Sequence, residues 1–278
     1  MAESRKVTKL FGAAGAALLA LSGAALADGY EGSIKDAPKD EGRKFTYSFS
    51  ITGTSDYVFR GISQTDNDPT IQGAINVGYG IFYAGVWGSG LDFDAAFNDA
   101  EVEVDLYAGI KPTWGPLTFD FGVIYYAYPN SNYYAPAVLP GPDLDYVEVK
   151  AGVSASPITN LALGATVYYS DDSFGETGEV WTVEGTAGYT FHTIGPFTPT
   201  ISGVLGHVEG DDPAYALFNG FDSYTYWNAG LALAVEKLTF DFRYWDTDGA
   251  ENALSNTLSC ISDLCGERFV FSATVTLP

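Results

Sequence analysis

The chain has 278 residues and a formal net charge of −22, with 15% aromatic residues, 32 glycines and a single methionine. So negative a charge excludes nucleic acid as a partner, because phosphate binding requires a basic surface. The composition suits strands and tight turns. After residue 27, no apolar run reaches the roughly 20 residues that a transmembrane helix needs.

The N-terminus has the features of a signal peptide. Arg5, Lys6 and Lys9 form a basic start, and residues 10–21 form an apolar run. Ala25 and Ala27 then give the small-x-small pattern that a signal peptidase recognises. We predict cleavage after Ala27 and export. Residues 28–44 are polar and are predicted to form a flexible periplasmic lead-in.

From Phe45 onward, apolar and polar residues alternate with a period of two, which is the signature of a β-strand. In the first segment, Phe45, Tyr47 and Phe49 are separated by Thr46 and Ser48. The pattern recurs to the end of the chain and gives about twelve strands of the length that membrane barrels use.

The connections between these strands alternate strictly in length. Short ones fall near Gly80 and at 112–116, 157–160, 192–199 and 236–237, and long ones at 56–69, 88–100, 129–144, 171–179, 209–222 and 246–266. All short turns then lie at one end and all long loops at the other, as in outer-membrane proteins. We therefore predict an all-β fold over residues 45–278: a transmembrane antiparallel up-and-down β-barrel of about 12 strands with short periplasmic turns and long extracellular loops.

Aromatic residues cluster at the strand ends, where membrane barrels carry their interfacial girdles. The predicted girdle residues are Tyr125, Tyr128, Tyr168, Tyr169, Tyr189, Phe191, Tyr224, Tyr226, Tyr244 and Trp245.

Charged residues within the strands fall on the face opposite the apolar one, and in a barrel that face lines the lumen. The predicted pore-lining residues are Glu101, Glu103, Asp105, Asp120, Glu148, Lys150, Glu184, Asp241 and Arg243. An excess of carboxylates favours cations in a pore. A salt-bridge network among Glu148, Lys150, Asp241 and Arg243 would instead close the lumen, and the sequence leaves both interpretations open.

The long loops are rich in aspartate. Asp66 and Asp68, and likewise Asp92 and Asp94, offer alternating oxygen ligands of the kind that Ca²⁺ prefers, without the full spacing of an EF-hand loop. They are candidate metal ligands at the extracellular loops; the alternative is a solvated acidic surface. No other cofactor is predicted.

Cys260 and Cys265 lie in the last long loop, and in an exported protein this spacing predicts a disulfide. Signals for catalysis are poor. His207 and Ser202 are five positions apart on one predicted strand and therefore point to opposite faces. We predict that the protein is not an enzyme and has no catalytic residues.

Several motifs resemble one family of bacterial proteins. They include Phe59-Arg60-Gly61-Ile62-Ser63-Gln64-Thr65 and residues 68–73, 82–89, 103–109, 145–149 and 267–272. These segments resemble the TorF-type porins, the Gcw_chp family of proteobacterial outer-membrane proteins. The resemblance implies an outer-membrane location and a channel role, without a solute. The chain departs from many barrels in ending Thr276-Leu277-Pro278 rather than on an aromatic residue.

The leading hypothesis is a passive outer-membrane channel for small neutral or cationic solutes, with lipid and lipopolysaccharide around it. The alternative is a closed structural or interaction barrel whose acidic loops bind divalent cations, lipopolysaccharide or a surface partner. A lipid-modifying enzyme is the third hypothesis. The sequence indicates neither the solute nor the oligomeric state.

Overall fold

The structure is a computed structural model that describes residues 45–93, 100–129, 131, 143–250 and 264–278. The predicted signal peptide (residues 1–27) and lead-in (residues 28–44) lie outside the described residues, as do Asp94 and Cys260. The disulfide between Cys260 and Cys265 therefore stays a prediction.

Twelve long antiparallel strands form a closed ring. In chain order, the described elements are β1 (Phe45–Thr54), β2 (Val58–Phe59), β3 (Ile62–Ser63), β4 (Thr70–Tyr79), β5 (Phe82–Gly90), β6 (Val102–Ile110), β7 (Thr113–Trp114), β8 (Leu117–Ala127), β9 (Tyr146–Ala155), β10 (Leu161–Ser170), β11 (Val180–Thr190), β12 (Thr198–Gly210), α1 (Pro213–Asn219), β13 (Ser223–Val235), β14 (Leu238–Asp248) and β15 (Arg268–Leu277). The long strands pair with their neighbours in the chain, β1 pairs with β15, and β6 pairs with β8. The predicted twelve-stranded antiparallel barrel is confirmed.

The strands carry their apolar side chains on the outside of the ring. On β4, β5 and β6, the outward residues Ile75, Val86 and Leu106 are 55%, 42% and 48% exposed. Polar residues such as Gln72 and Asn76 alternate with them and are buried inside. A soluble sandwich would place the apolar face in its core, so this inversion is typical of a barrel surrounded by lipid.

The prediction of aromatic girdles was wrong for half of its residues. Five of them face outward: Tyr125, Tyr169, Tyr189, Phe191 and Tyr244. The other five are buried inside the barrel: Tyr128, Tyr168, Tyr224, Tyr226 and Trp245. Strand-end position alone does not select the face, because adjacent residues of a strand point in opposite directions.

The short turns lie at one end of the barrel and the long connections at the other. Gly80, Asn160 and Glu236 adopt positive φ angles of 64°, 69° and 53° in three of the short turns, as tight hairpins require. One long connection contains α1, whose first turn is capped by the Asp212 side chain. Among the described residues, no helix is long and apolar enough to cross a membrane.

The first long connection folds into the barrel instead of extending away from it. Its strands β2 and β3 are joined by Arg60 and Gly61, whose positive φ angles of 49° and 86° correspond to a type I′ turn. A Cβ atom on Gly61 would lie 2.5 Å from Thr247 Cγ2 and 2.9 Å from Tyr226 Cβ. The tip of this segment, which we call the inward hairpin (residues 56–65), therefore presses against the wall at β13 and β14.

We expect the closed ring to persist in denaturing detergent until the sample is heated, because no strand edge is left for the detergent to open. Unheated and heated samples should migrate differently on a denaturing gel, and the unheated band should resist protease except at the long connections. Identical migration under both conditions would contradict a closed barrel.

Candidate functional site in the barrel lumen

Asp56 fixes the base of the inward hairpin. Its Oδ1 atom accepts hydrogen bonds from the hydroxyls of Ser63, at 2.7 Å, and Thr65, at 3.0 Å. Its Oδ2 atom accepts a hydrogen bond from Arg268 Nη1 of β15 at 3.2 Å. The first two contacts are local in sequence, and the third ties the hairpin to the last strand of the barrel.

Arg60 fixes the tip of the hairpin to the opposite wall. Its Nη1 and Nη2 atoms donate to Glu148 Oε1 and Oε2 of β9 at 2.7 and 2.8 Å. Its guanidinium carbon lies 4.8 Å from the ring centre of Phe59 and 5.0 Å from that of Tyr168. Tyr126 adds a hydrogen bond to Glu148 Oε2 at 3.0 Å. Both charges are buried, so each needs the other to offset the loss of water.

The structure brings most of the predicted pore-lining residues together inside the barrel. Seven are buried on the inward face: Glu103, Asp105, Glu148, Lys150, Glu184, Asp241 and Arg243. The Asp120 side chain is 18% exposed on the same face. Glu101 precedes β6 and is exposed at the end of the barrel, so it does not join this group.

Several inward carboxylates are neutralised by neighbouring cations. Arg243 Nε and Nη2 donate to both oxygens of Asp241, at 3.0 and 2.9 Å. Lys150 and Lys111 lie 3.2 and 3.5 Å from Asp120 Oδ2. Together with Arg60 and Glu148, these pairs leave a smaller negative excess than the sequence count of acids suggested.

Two of the remaining inward acids, Glu103 and Glu184, accept hydrogen bonds from tyrosines. Tyr57 of the inward hairpin donates to Glu103 Oε1 at 2.9 Å, and Tyr168 donates to Glu184 Oε2 at 3.2 Å. Glu103 is also within hydrogen-bonding reach of Asp105. No Lys or Arg of the described residues forms an ion pair with these three acids.

Tyr57 is set up as a hydrogen-bond donor. Burial raises the pKa of its hydroxyl well above the usual value, and the nearby carboxylates of Glu103 and Asp105 raise it further. The hydroxyl therefore keeps its proton, and its bond to Glu103 holds the hairpin to β6.

The outer-loop aspartates do not assemble into a metal site in the described part of the chain. Among those residues, no group of three or more His, Cys, Asp or Glu side chains is placed to hold a metal ion. Asp66 lies in a turn with a φ of 49°, and Asp92 is described, whereas Asp94 is not. The predicted calcium ligands Asp66, Asp68 and Asp92 therefore do not form a three-ligand site with other described residues.

His207 and Ser202 lie on opposite faces of β12, as the sequence predicted. Ser202 is buried and accepts a hydrogen bond from Arg243 Nη2 at 3.0 Å. His207 is exposed on the outside, where its Nδ1 atom lies 3.0 Å from the hydroxyl of Thr225. The two side chains cannot cooperate in catalysis.

Sequence reasoning missed the residues of the inward hairpin. It treated 56–69 as a plain external loop, although Val58, Phe59 and Ile62 are apolar residues around an Arg-Gly pair. Apolar residues flanking a two-residue turn are the available signal for a hairpin. The pattern could not reveal that this hairpin enters the lumen.

We expect Arg60→Ala to lower the free energy of unfolding by about 3–5 kcal/mol, because it leaves Glu148 buried and unpaired. Lys111→Ala is the control; its partly exposed pair with Asp120 should contribute about 1 kcal/mol or less. Urea unfolding in lipid vesicles measures both. A double variant, Arg60→Ala with Glu148→Gln, should recover part of the loss. Equal losses for the two single variants would contradict a buried pair.

Solved structures with a similar fold include the NanC porin, with a TM-score of 0.49, 13% identity, and coverage of 83% of this chain and 99% of that chain. An outer membrane channel from Pseudomonas putida F1 has a TM-score of 0.48, 14% identity, and coverage of 88% and 97%. A mutant of the TodX monoaromatic hydrocarbon channel has a TM-score of 0.46, 11% identity, and coverage of 89% and 94%.

No curated protein matches the chain. One family model does, described as "Bacterial protein of unknown function (Gcw_chp)", and the match spans residues 39–277. It covers all of the strands and confirms the resemblance carried by the motifs. The chain belongs to the Gcw_chp family.

Proposed function

We propose that this protein is an outer-membrane β-barrel channel for small neutral or cationic solutes. The observation that carries the proposal is the inversion of polarity across the wall. Large apolar side chains are exposed outside, whereas carboxylates, amides and hydroxyls line the inside. A polar interior within an apolar exterior provides a path for hydrophilic solutes through lipid.

The charge of the lumen supports a preference for cations. Glu103, Asp105 and Glu184 have no ion pair with a described Lys or Arg, whereas the inward cations Arg60 and Arg243 are each held by a carboxylate. A narrow lumen with walls of low dielectric concentrates the field of the excess charge. The preference should therefore depend on these three acids more than on the total charge of the chain.

The inward hairpin makes the lumen narrow. Its base is bonded to β15 through Asp56, and its tip reaches Glu148 on β9 and packs against Tyr226 on β13. A segment that crosses the lumen limits passage to small solutes. The same observation favours a second candidate function, a closed barrel that acts through its acidic loops.

We expect the channel to prefer K⁺ to Cl⁻. The preference should be stronger at low salt, because the Debye screening length is roughly 30 Å at 0.01 M and charges are then screened less. Glu103→Gln with Asp105→Asn should reduce this preference. Asp171→Asn with Asp172→Asn, in an exposed loop, is the matched control and should change it little. Reversal potentials in a planar bilayer under a salt gradient measure the effect. Anion selectivity, or an unchanged value for the lumen variant, would contradict the assignment.

We expect Arg60→Ala to raise the single-channel conductance, because the tip of the inward hairpin loses its bonds to the wall. Asp171→Asn should leave the conductance nearly unchanged, because Asp171 is exposed in a loop outside the lumen network. Recordings from the two variants and the unmodified protein decide between the candidate functions. Absence of conductance in all three proteins would reject the channel and favour the closed barrel.

A further inference from the structure

Asp105 is a buried carboxylate with an unmet hydrogen-bonding requirement. The side chain is 4% exposed, and its Oδ1 atom has no hydrogen-bond partner among the described residues. A buried carboxylate oxygen without a donor costs free energy, since it has lost water and gained nothing in return. Asp105 therefore calls for a donor that the described chain does not provide.

The surroundings of Asp105 are acidic. The carboxylates of Glu103 and Glu148 both repel a negative charge on Asp105. Arg60 donates two hydrogen bonds to Glu148 from Nη1 and Nη2, and its Nε atom has no hydrogen-bond partner among the described residues. Mutual repulsion of these three carboxylates is relieved by added positive charge, whether that charge is a proton or a bound cation.

Aromatic side chains flank Asp105 on both sides. In the strand register, Trp87 of β5 and Tyr126 of β8 lie directly opposite Asp105 on the two neighbouring strands. Residues paired in this way share one face of the sheet and are in contact range. Tyr57 of the inward hairpin packs on Trp87 with ring centres 5.2 Å apart. The carboxylate lies among aromatic rings, which attract cations through their π faces.

The combination fits an ammonium group better than a metal ion. Ca²⁺ takes six to eight oxygen ligands, and no group of three or more ligating side chains is placed to hold a metal among the described residues. An ammonium group needs fewer oxygens, because its N–H bonds donate to a carboxylate while its charge is stabilised by aromatic rings.

We propose that Asp105, flanked by Trp87 and Tyr126 and covered by Tyr57, binds the ammonium group of a small organic cation in the lumen. The site deepens the proposed function, on which it rests, by naming the class of solute. A bound ammonium provides the donor that Asp105 Oδ1 lacks. It reaches the site when Tyr57 and the inward hairpin move aside, so the bond from Tyr57 to Glu103 is exchanged during binding.

The test compares benzylammonium with benzyl alcohol, which has the same ring but no charge. Calorimetry on the folded full-length barrel in detergent, at neutral pH and fixed ionic strength, measures both affinities. We expect benzylammonium to bind at least about tenfold more tightly, as one charge-assisted hydrogen bond provides. Equal affinities in the unmodified protein, or no binding of either probe, would overturn the proposal without reliance on any variant.

Asp105→Asn should lower the affinity for benzylammonium by at least about tenfold and leave that for benzyl alcohol unchanged. Asp171→Asn, in an exposed loop, is the matched control and should alter neither affinity. Gel migration of unheated samples verifies that each variant is folded. If Asp105→Asn binds benzylammonium as tightly as the unmodified protein does, Asp105 does not bind the ammonium group and the proposal is wrong.

The outcome separates the site from the channel. Binding is measured without a membrane potential or a solute gradient, so it does not depend on conduction. If the barrel binds benzylammonium but carries no current, the binding site is supported and the channel is contradicted. If the barrel conducts but binds the two probes with equal affinity, the channel is supported and the binding site is contradicted.

Discussion

Closure of the sheet is the constraint on which the rest of this structure depends. A strand at an open edge leaves backbone N–H and C=O groups unpaired, and lipid cannot satisfy them. The pairings of β1 with β15 and of β6 with β8 remove both edges. Once the ring is closed, each strand has one face toward the outside and one toward the lumen, and the alternation of side chains assigns every residue to one of them.

Burial of charge inside the ring follows from that closure. Glu148 and Asp241 are buried because they lie on the inward face of their strands, while the apolar side chains of the same strands face outward. Their cost is offset by partners: Arg60 reaches Glu148 from the hairpin, and Arg243 binds Asp241 on the same strand. Where no cation is available, tyrosines donate instead, as Tyr57 does to Glu103. The inside of the ring therefore contains a polar network that also holds the hairpin.

The inward hairpin connects the architecture to the proposed activity. Its tip needs glycine at position 61, both for the positive φ and for the close approach to Tyr226 and Thr247. With that contact made, Arg60 is directed to Glu148 on the other side of the lumen. In the proposed channel the hairpin would narrow the path for solutes, and it lies over Asp105 and its aromatic neighbours. In the proposed channel, selection by size and by charge would therefore occur in the same region of the barrel.

The sequence by itself determined the number and order of the long strands and the alternation of their apolar and polar faces. Period two and the alternation of short and long connections are local properties of the chain, so they could be found without contacts. Parity puts Glu103, Glu148, Asp241 and Arg243 on the polar face of their strands, and in the structure that face is buried inside the ring.

Only the tertiary structure decided how those side chains are paired and what fills the lumen. The pair between Arg60 and Glu148 joins residues 88 positions apart, and the bond between Asp56 and Arg268 joins residues 212 apart. Contacts between residues so far apart leave no periodic pattern in the sequence. The direction in which residues 56–65 fold, and hence the charge balance and width of the lumen, depends on contacts that form only when the ring closes.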